Sequence, residues 1–100
     1  MKMLLIAYNV SIENELLEEL PKLGVQCFTQ WPRVLGQGKT TGARFDSAVW
    51  PGANGMLMAT VEDTDAPRIM HAINQMRNTT AKRDGLKAFQ LNVEAVTGDI

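Results

Sequence analysis

Apolar side chains fill nearly every position from Met1 to Tyr8, with Lys2 the one charge. A short run of that kind is the pattern of a central β-strand covered on both faces. Ser11 is suited to cap a helix, and Ile12, Leu16, Leu17, Leu20 and Leu23 then recur at helical spacing. Glu13, Glu15, Glu18 and Glu19 fall on the water-facing side of that helix, several in its first half where the dipole favours anions, and Gly24 closes it. Val25, Cys27, Thr29 and Trp31 alternate with Gln26 and Gln30, predicting a second strand to about Leu35 that is irregular at Pro32. Gly36, Gly38, Gly42, Gly52 and Gly55, with Pro51, mark residues 36–55 as a loop or an extended hairpin end. A third strand resumes over Met56 to Glu62. Asp63, Thr64 and Asp65 offer caps, Pro67 suits a first helical turn, and Ala66, Ile69, Met70, Ile73 and Met76 keep an amphipathic helical rhythm. Beyond the polar stretch Asn78 to Gly85, Phe89, Leu91 and Val93 alternate with Ala88, Gln90 and Asn92 as a fourth strand.

The order is βαββαβ. With right-handed crossovers it predicts an α+β, ferredoxin-like domain over residues 1–100, a four-stranded antiparallel sheet with two helices on one face. The other face is left bare, yet Met56, Leu57, Met58 and Ala59 leave no polar side along the third strand, and the first strand is apolar on both sides. Association through that bare face, giving a homo-oligomer, is the expected remedy.

Composition changes this picture little: 45% apolar and 21% charged residues suit a folded domain. A net charge of −1 argues against nucleic acid as a partner. The longest apolar run, Met3 to Ala7, is far short of a bilayer span and lacks a signal-peptide pattern, so no membrane insertion and a cytoplasmic location are expected. Cys27 stands alone, without a partner for an intrachain disulfide or a metal knuckle, and its alternation with Val25 and Thr29 suggests a small buried hydrophobe.

The stretch Val34-Leu-Gly-Gln-Gly-Lys-Thr-Thr-Gly42 carries the candidate chemistry. A Walker-type phosphate loop needs a glycine five residues before Gly38, where Arg33 stands, and a helix after Thr40, where the sequence continues Thr41-Gly42 without helical periodicity. A nucleotide hydrolase is therefore rejected. What remains is G-x-G-K-x-x-G over residues 36–42 at the end of a second strand. This resembles the PII nitrogen-regulatory family, whose second strand ends in G-x-G-R/K-x-x-G. The resemblance runs through the opening strand and acidic helix, the capped second helix, the Asp84-Gly85 turn, and the ending Val93-Glu-Ala-Val-Thr-Gly-Asp99.

The resemblance implies a homotrimer that signals to a regulated protein partner and holds ATP or ADP as an effector, rather than a cofactor, in clefts between subunits. Gly36 and Gly38 would let backbone approach the ligand, Lys39 would meet phosphate oxygens, and Thr40 would supply a hydroxyl. The turn after Asn78 would bring Lys82, Arg83, Gly85 and Lys87 to the same cleft. Three departures stand out. The loop between the second and third strands, Thr40 to Trp50, is short and holds no tyrosine for uridylylation. The turn before the last strand keeps only part of the family's glycine- and lysine-rich pattern. Val96 is followed directly by Thr97-Gly98-Asp99, without the two arginines that precede the family's T-G-E. At roughly 1.5–3 kcal/mol per charged hydrogen bond, those losses weaken ATP by orders of magnitude unless Lys82, Arg83 or Arg44 substitutes, and a less charged ligand such as AMP becomes conceivable.

The remaining residues have plainer readings. Trp31 and Trp50 flank the loop and suit a subunit contact or a stacked adenine. His71 falls off its helix's apolar stripe and is expected at the surface. Asp63 and Asp65 look like caps, so no catalytic pair is expected and the chain is not read as an enzyme. An alternative is a heavy-metal-response protein, because the trimeric CutA divalent-cation tolerance proteins share a similar scaffold, and methionines, one cysteine and one histidine are present. An acylphosphatase is set aside because Asn9-Val-Ser-Ile-Glu13 holds no arginine, and an RNA-recognition module because Phe89 is its one candidate aromatic.

Overall fold

A computed structural model describes residues 1–38, 42–44, 53–79 and 85–98. Its elements run β1 (Lys2–Asn9), α1 (Glu13–Lys22), β2 (Thr29–Val34), β3 (Gly36–Gly38), β4 (Gly42–Arg44), β5 (Asn54–Val61), α2 (Ala66–Thr79) and β6 (Leu86–Asn92). The main sheet has the order β2-β5-β1-β6, with β1 antiparallel to both β5 and β6, and β2 antiparallel to β5. This is the expected ferredoxin-like α+β arrangement. The glycine-rich stretch adds a two-stranded hairpin of β3 and β4.

Strand alternation divides the sheet into two faces. Leu4, Ile6 and Tyr8 of β1 and Leu57, Ala59 and Val61 of β5 are buried with Leu86 beneath the helices. Ile12, Leu16 and Leu20 descend from the α1 side, and Ala66, Ile69 and Ile73 from α2, to complete one core. The opposite face follows from register. Trp31, Met56 and Ala7 form one row; Met58, Leu5 and Phe89 a second; Met3 and Leu91 a third. Trp31, Phe89 and Leu91 are 43%, 52% and 43% exposed, so the apolar bare face expected from sequence is present. Phe89 and Leu91 thus belong to that face, while Leu86 supplies the buried contact of β6.

Three local expectations are corrected. The predicted cap Ser11 is instead the donor: its backbone N–H bonds to the Asn9 side chain at 2.9 Å, opening a short 3-10 turn over Val10–Ile12 before α1. The second strand begins at Thr29 rather than Val25. Residues 24 and 25 instead complete a helix C-cap, with Gly24 at φ +88°, its N–H on the Pro21 carbonyl at 3.0 Å, and the Val25 N–H on the Leu20 carbonyl at 2.9 Å. Cys27 consequently lies on an irregular segment and is exposed, contrary to the buried thiol expected from alternation. The irregularity expected at Pro32 is a β-bulge between Trp31 and Val34.

Candidate functional site

Gly36 and Gly38 belong to β3, paired with Arg44 and Gly42 of β4 across the hairpin. A strand after the Gly-Lys-Thr triplet is incompatible with the helix a Walker loop requires, which agrees with the rejection of that motif. Gly36 lies so close to the Asn54 side chain that a Cβ at position 36 would overlap the amide nitrogen. A larger residue at 36 would have to displace the Asn54 amide, so glycine lets the chain leaving β2 stay against that side chain. At the other edge of the sheet Gly85 takes φ +75° immediately before β6, and its carbonyl accepts the Asn9 N–H at 3.1 Å. Lys87 is exposed on β6 opposite Ala7, on the same face as the apolar rows. Lys39, Thr40, Lys82 and Arg83 lie outside the described residues, as do Trp50 and most of the Thr40–Trp50 loop.

Register shows how the described glycines are related. Val34 pairs with Asn54, Asn54 with Asn9, and Asn9 bonds to Gly85. Both glycine segments thus occupy one end of the sheet but opposite edges, separated by three strand spacings, roughly 14 Å. One chain brings them to the same end without joining them.

Between them lies a half-buried polar cluster that sequence reasoning missed. Tyr8 is 1% exposed and its hydroxyl donates to Glu13 Oε1 at 2.9 Å. Gln30 Nε2 reaches both the Tyr8 oxygen, at 2.7 Å, and the same carboxylate oxygen, at 2.5 Å. Glu13 is thereby turned inward, correcting its assignment to the water-facing side of α1. Burial pushes the Tyr8 hydroxyl up to about 12; the Gln30 bond opposes that rise, and the Glu13 bond and charge add to it. The sequence signal was a tyrosine at a core position of β1 facing Gly55, whose missing side chain makes room for the ring.

On the outer side of the helices a groove of about 590 Å³ runs between α1 and α2, lined by Glu15, Glu18, Glu19, Lys22 and His71 among others. His71 is exposed there, as expected. The three carboxylates give this groove the wrong charge for a phosphate. Among the described residues no three His, Cys, Asp or Glu side chains gather as metal ligands, and no helix is long and apolar enough to cross a membrane.

Known proteins with this fold are informative. A candidate PII-like signaling protein from Thermus thermophilus superposes with a TM-score of 0.63 at 24% identity, over 92% of this chain and 85% of that one. CPII from Thiomonas intermedia, a nitrogen regulatory PII-like protein bound to ADP, AMP and bicarbonate, superposes with a TM-score of 0.70 at 17% identity, over 94% and 88% of the two chains. The apo form of CPII gives 0.63 at 14% identity, over 92% and 89%. No curated protein sequence matches the chain. These likenesses establish the fold, and a family model described as "Nitrogen regulatory protein P-II" matches residues 1–98, so the chain belongs to the P-II family.

Proposed function

We propose that the protein is a trimeric, non-catalytic regulator that binds an adenine nucleotide in clefts between subunits and passes that signal to a partner protein. The observation that carries this reading is the placement of Gly36–Gly38 and Gly85–Lys87 at one end of the sheet on opposite edges. Two half-sites that a single chain holds about 14 Å apart are joined when copies pack side by side. The apolar rows of Met3, Leu5, Met56, Met58, Phe89 and Leu91 supply a surface for that packing. Within the joined cleft Gly36 and Gly38 approach the phosphates through backbone N–H groups, Lys39 and Thr40 add a cation and a hydroxyl, and Lys82, Arg83 and Lys87 come from the other edge. ADP and AMP are the favoured ligands, because the chain lacks the cations that a triphosphate would use at its C-terminal stretch, and because CPII is bound to ADP and AMP.

Calorimetry with ADP, AMP and ATP on the wild type and on Lys39→Ala, alongside native mass spectrometry, tests the reading. The expected outcome is a trimer in both proteins, heat from the wild type with ADP or AMP, and roughly a tenfold or greater loss of affinity in Lys39→Ala. A wild type that is monomeric, or that gives no heat with any of the three, overturns it.

A further inference from the structure

Tyr8 does more than fill the core. Its cross-strand neighbour on β5 is Gly55, and a Cβ there would collide with the ring and its hydroxyl. The ring therefore lies across β5 at the glycine and reaches Gln30 on β2, the next strand over, whose own neighbour on β5 is Leu57. Glu13, in the first turn of α1, receives both donors on one oxygen. Four elements meet at this point: β1 through the tyrosine, β5 through the glycine under its ring, β2 through the glutamine, and α1 through the carboxylate.

The location matters because β2 and β5 are the two legs of the 35–53 connection. Their ladder is interrupted by the bulge between Trp31 and Val34, just before the chain enters β3. A bulge leaves one residue unpaired and bends its strand, so the ladder itself holds β2 and β5 together less at this point. The polar cluster ties β2 to β1 and α1 from the core side, across β5 at Gly55, a few residues nearer the sheet centre. The Tyr8 hydroxyl is buried and its Gln30 and Glu13 partners are half-buried, so these polar groups leave water in part and recover the cost through the hydrogen bonds they make to one another.

We propose that Tyr8, Gln30 and Glu13 form a strut that fixes the spacing of β2 and β5 at the base of this connection and thereby positions the backbone of Gly36 and Gly38 for an anionic ligand. The ligand part rests on the function proposed above; the geometric part stands on the contacts themselves. Gly36 feels the strut through Asn54, the side chain it packs against, one residue from Gly55. Tyr8 and Gln30 are positioning residues.

Amide hydrogen exchange on the full chain tests the strut directly. Tyr8→Phe keeps the ring over Gly55 and loses the hydroxyl. Exchange at residues 34–38 and 53–55 is expected to quicken by about 5–50-fold, while amides of α2 and of the β1–β6 ladder keep their wild-type rates. Gln30→Leu should give the same local pattern, and Glu13→Gln, which retains an acceptor, should stay within about threefold of wild type. Calorimetry with ADP should show a comparable loss of affinity in Tyr8→Phe. Wild-type exchange at 34–38 in both Tyr8→Phe and Gln30→Leu overturns the proposal. So does a uniform acceleration across the whole sheet, which a merely stabilising core tyrosine would give. Should the wild type itself fail to bind ADP, the proposed function falls, and the exchange pattern alone decides the strut.

Discussion

At the residue scale the informative group is the Tyr8 phenol. Its hydroxyl is held neutral by burial and by the carboxylate it donates to, with an ionisation point of about 12 in the folded chain against 10 for the unfolded one. A group whose pKa rises on folding contributes stability that is fully present below its unfolded value. That contribution disappears as pH climbs through the folded value. Urea midpoints measured between about pH 9 and 12 should therefore fall more steeply in the wild type than in Tyr8→Phe, with the curves parallel below about pH 9. Equal slopes for the two proteins would mean that the phenol titrates as it does in the unfolded chain. Little of this cluster was legible beforehand. Tyr8 could be placed in a strand by its apolar neighbours, and Gly55 in a glycine-rich stretch. Nothing local indicated that Glu13 would turn towards a phenol five residues back and an amide seventeen residues on. A helical wheel assigns a glutamate to water because it weighs only its own helix.

At the element scale periodicity performed well where an element packs on one face. The stripes Ile12-Leu16-Leu20 and Ala66-Ile69-Ile73 are buried on the helix side of the core, and the apolar run of β5 divides between the core and the other sheet face. It failed between α1 and β2. Val25 and Cys27 alternate with polar neighbours as a strand would, but Val25 belongs to the helix C-cap and Cys27 to an exposed irregular segment. The competing signal, Gly24 in the left-handed region, was read correctly, but its second consequence was not: such a cap also claims the residue that follows. Gly24→Ala is expected to destabilise the chain by about 1 kcal/mol, because an L side chain is strained at φ +88°. Chemical denaturation checks this, and an unchanged midpoint would show that the cap relaxes. The nearest atom to a Cβ there is the Arg68 guanidinium nitrogen at 3.7 Å, an ordinary contact, so crowding should contribute nothing.

At the scale of the whole molecule, the fold and the apolar second face were both readable, the first from element order and the second from strands lacking a polar side. Membership of the P-II family, resting on a match over residues 1–98, agrees with the resemblance carried by the G-x-G-K-x-x-G stretch. How the glycine segments are related could not be read, because their separation depends on strand order rather than on sequence distance. Met58 sits at the centre of the uncovered face, between Thr29 and Leu5, with Phe89 beyond. If the chains assemble through this face as proposed, Met58→Glu should leave the monomer fold intact and shift the protein towards single chains, as sedimentation at several concentrations would reveal. An assembly as tight as the wild type would move the contact elsewhere.

Splitting the glycine segments between two margins of one sheet has a genetic consequence. If every pocket draws its halves from different molecules, damage to one margin need not be fatal in company. A chain crippled at Gly36 and another crippled at Gly85, each inert by itself, would restore an intact pocket wherever their undamaged margins met in a mixed particle. Loss-of-function alleles would then fall into two complementing groups, divided by which border of the sheet they spoil.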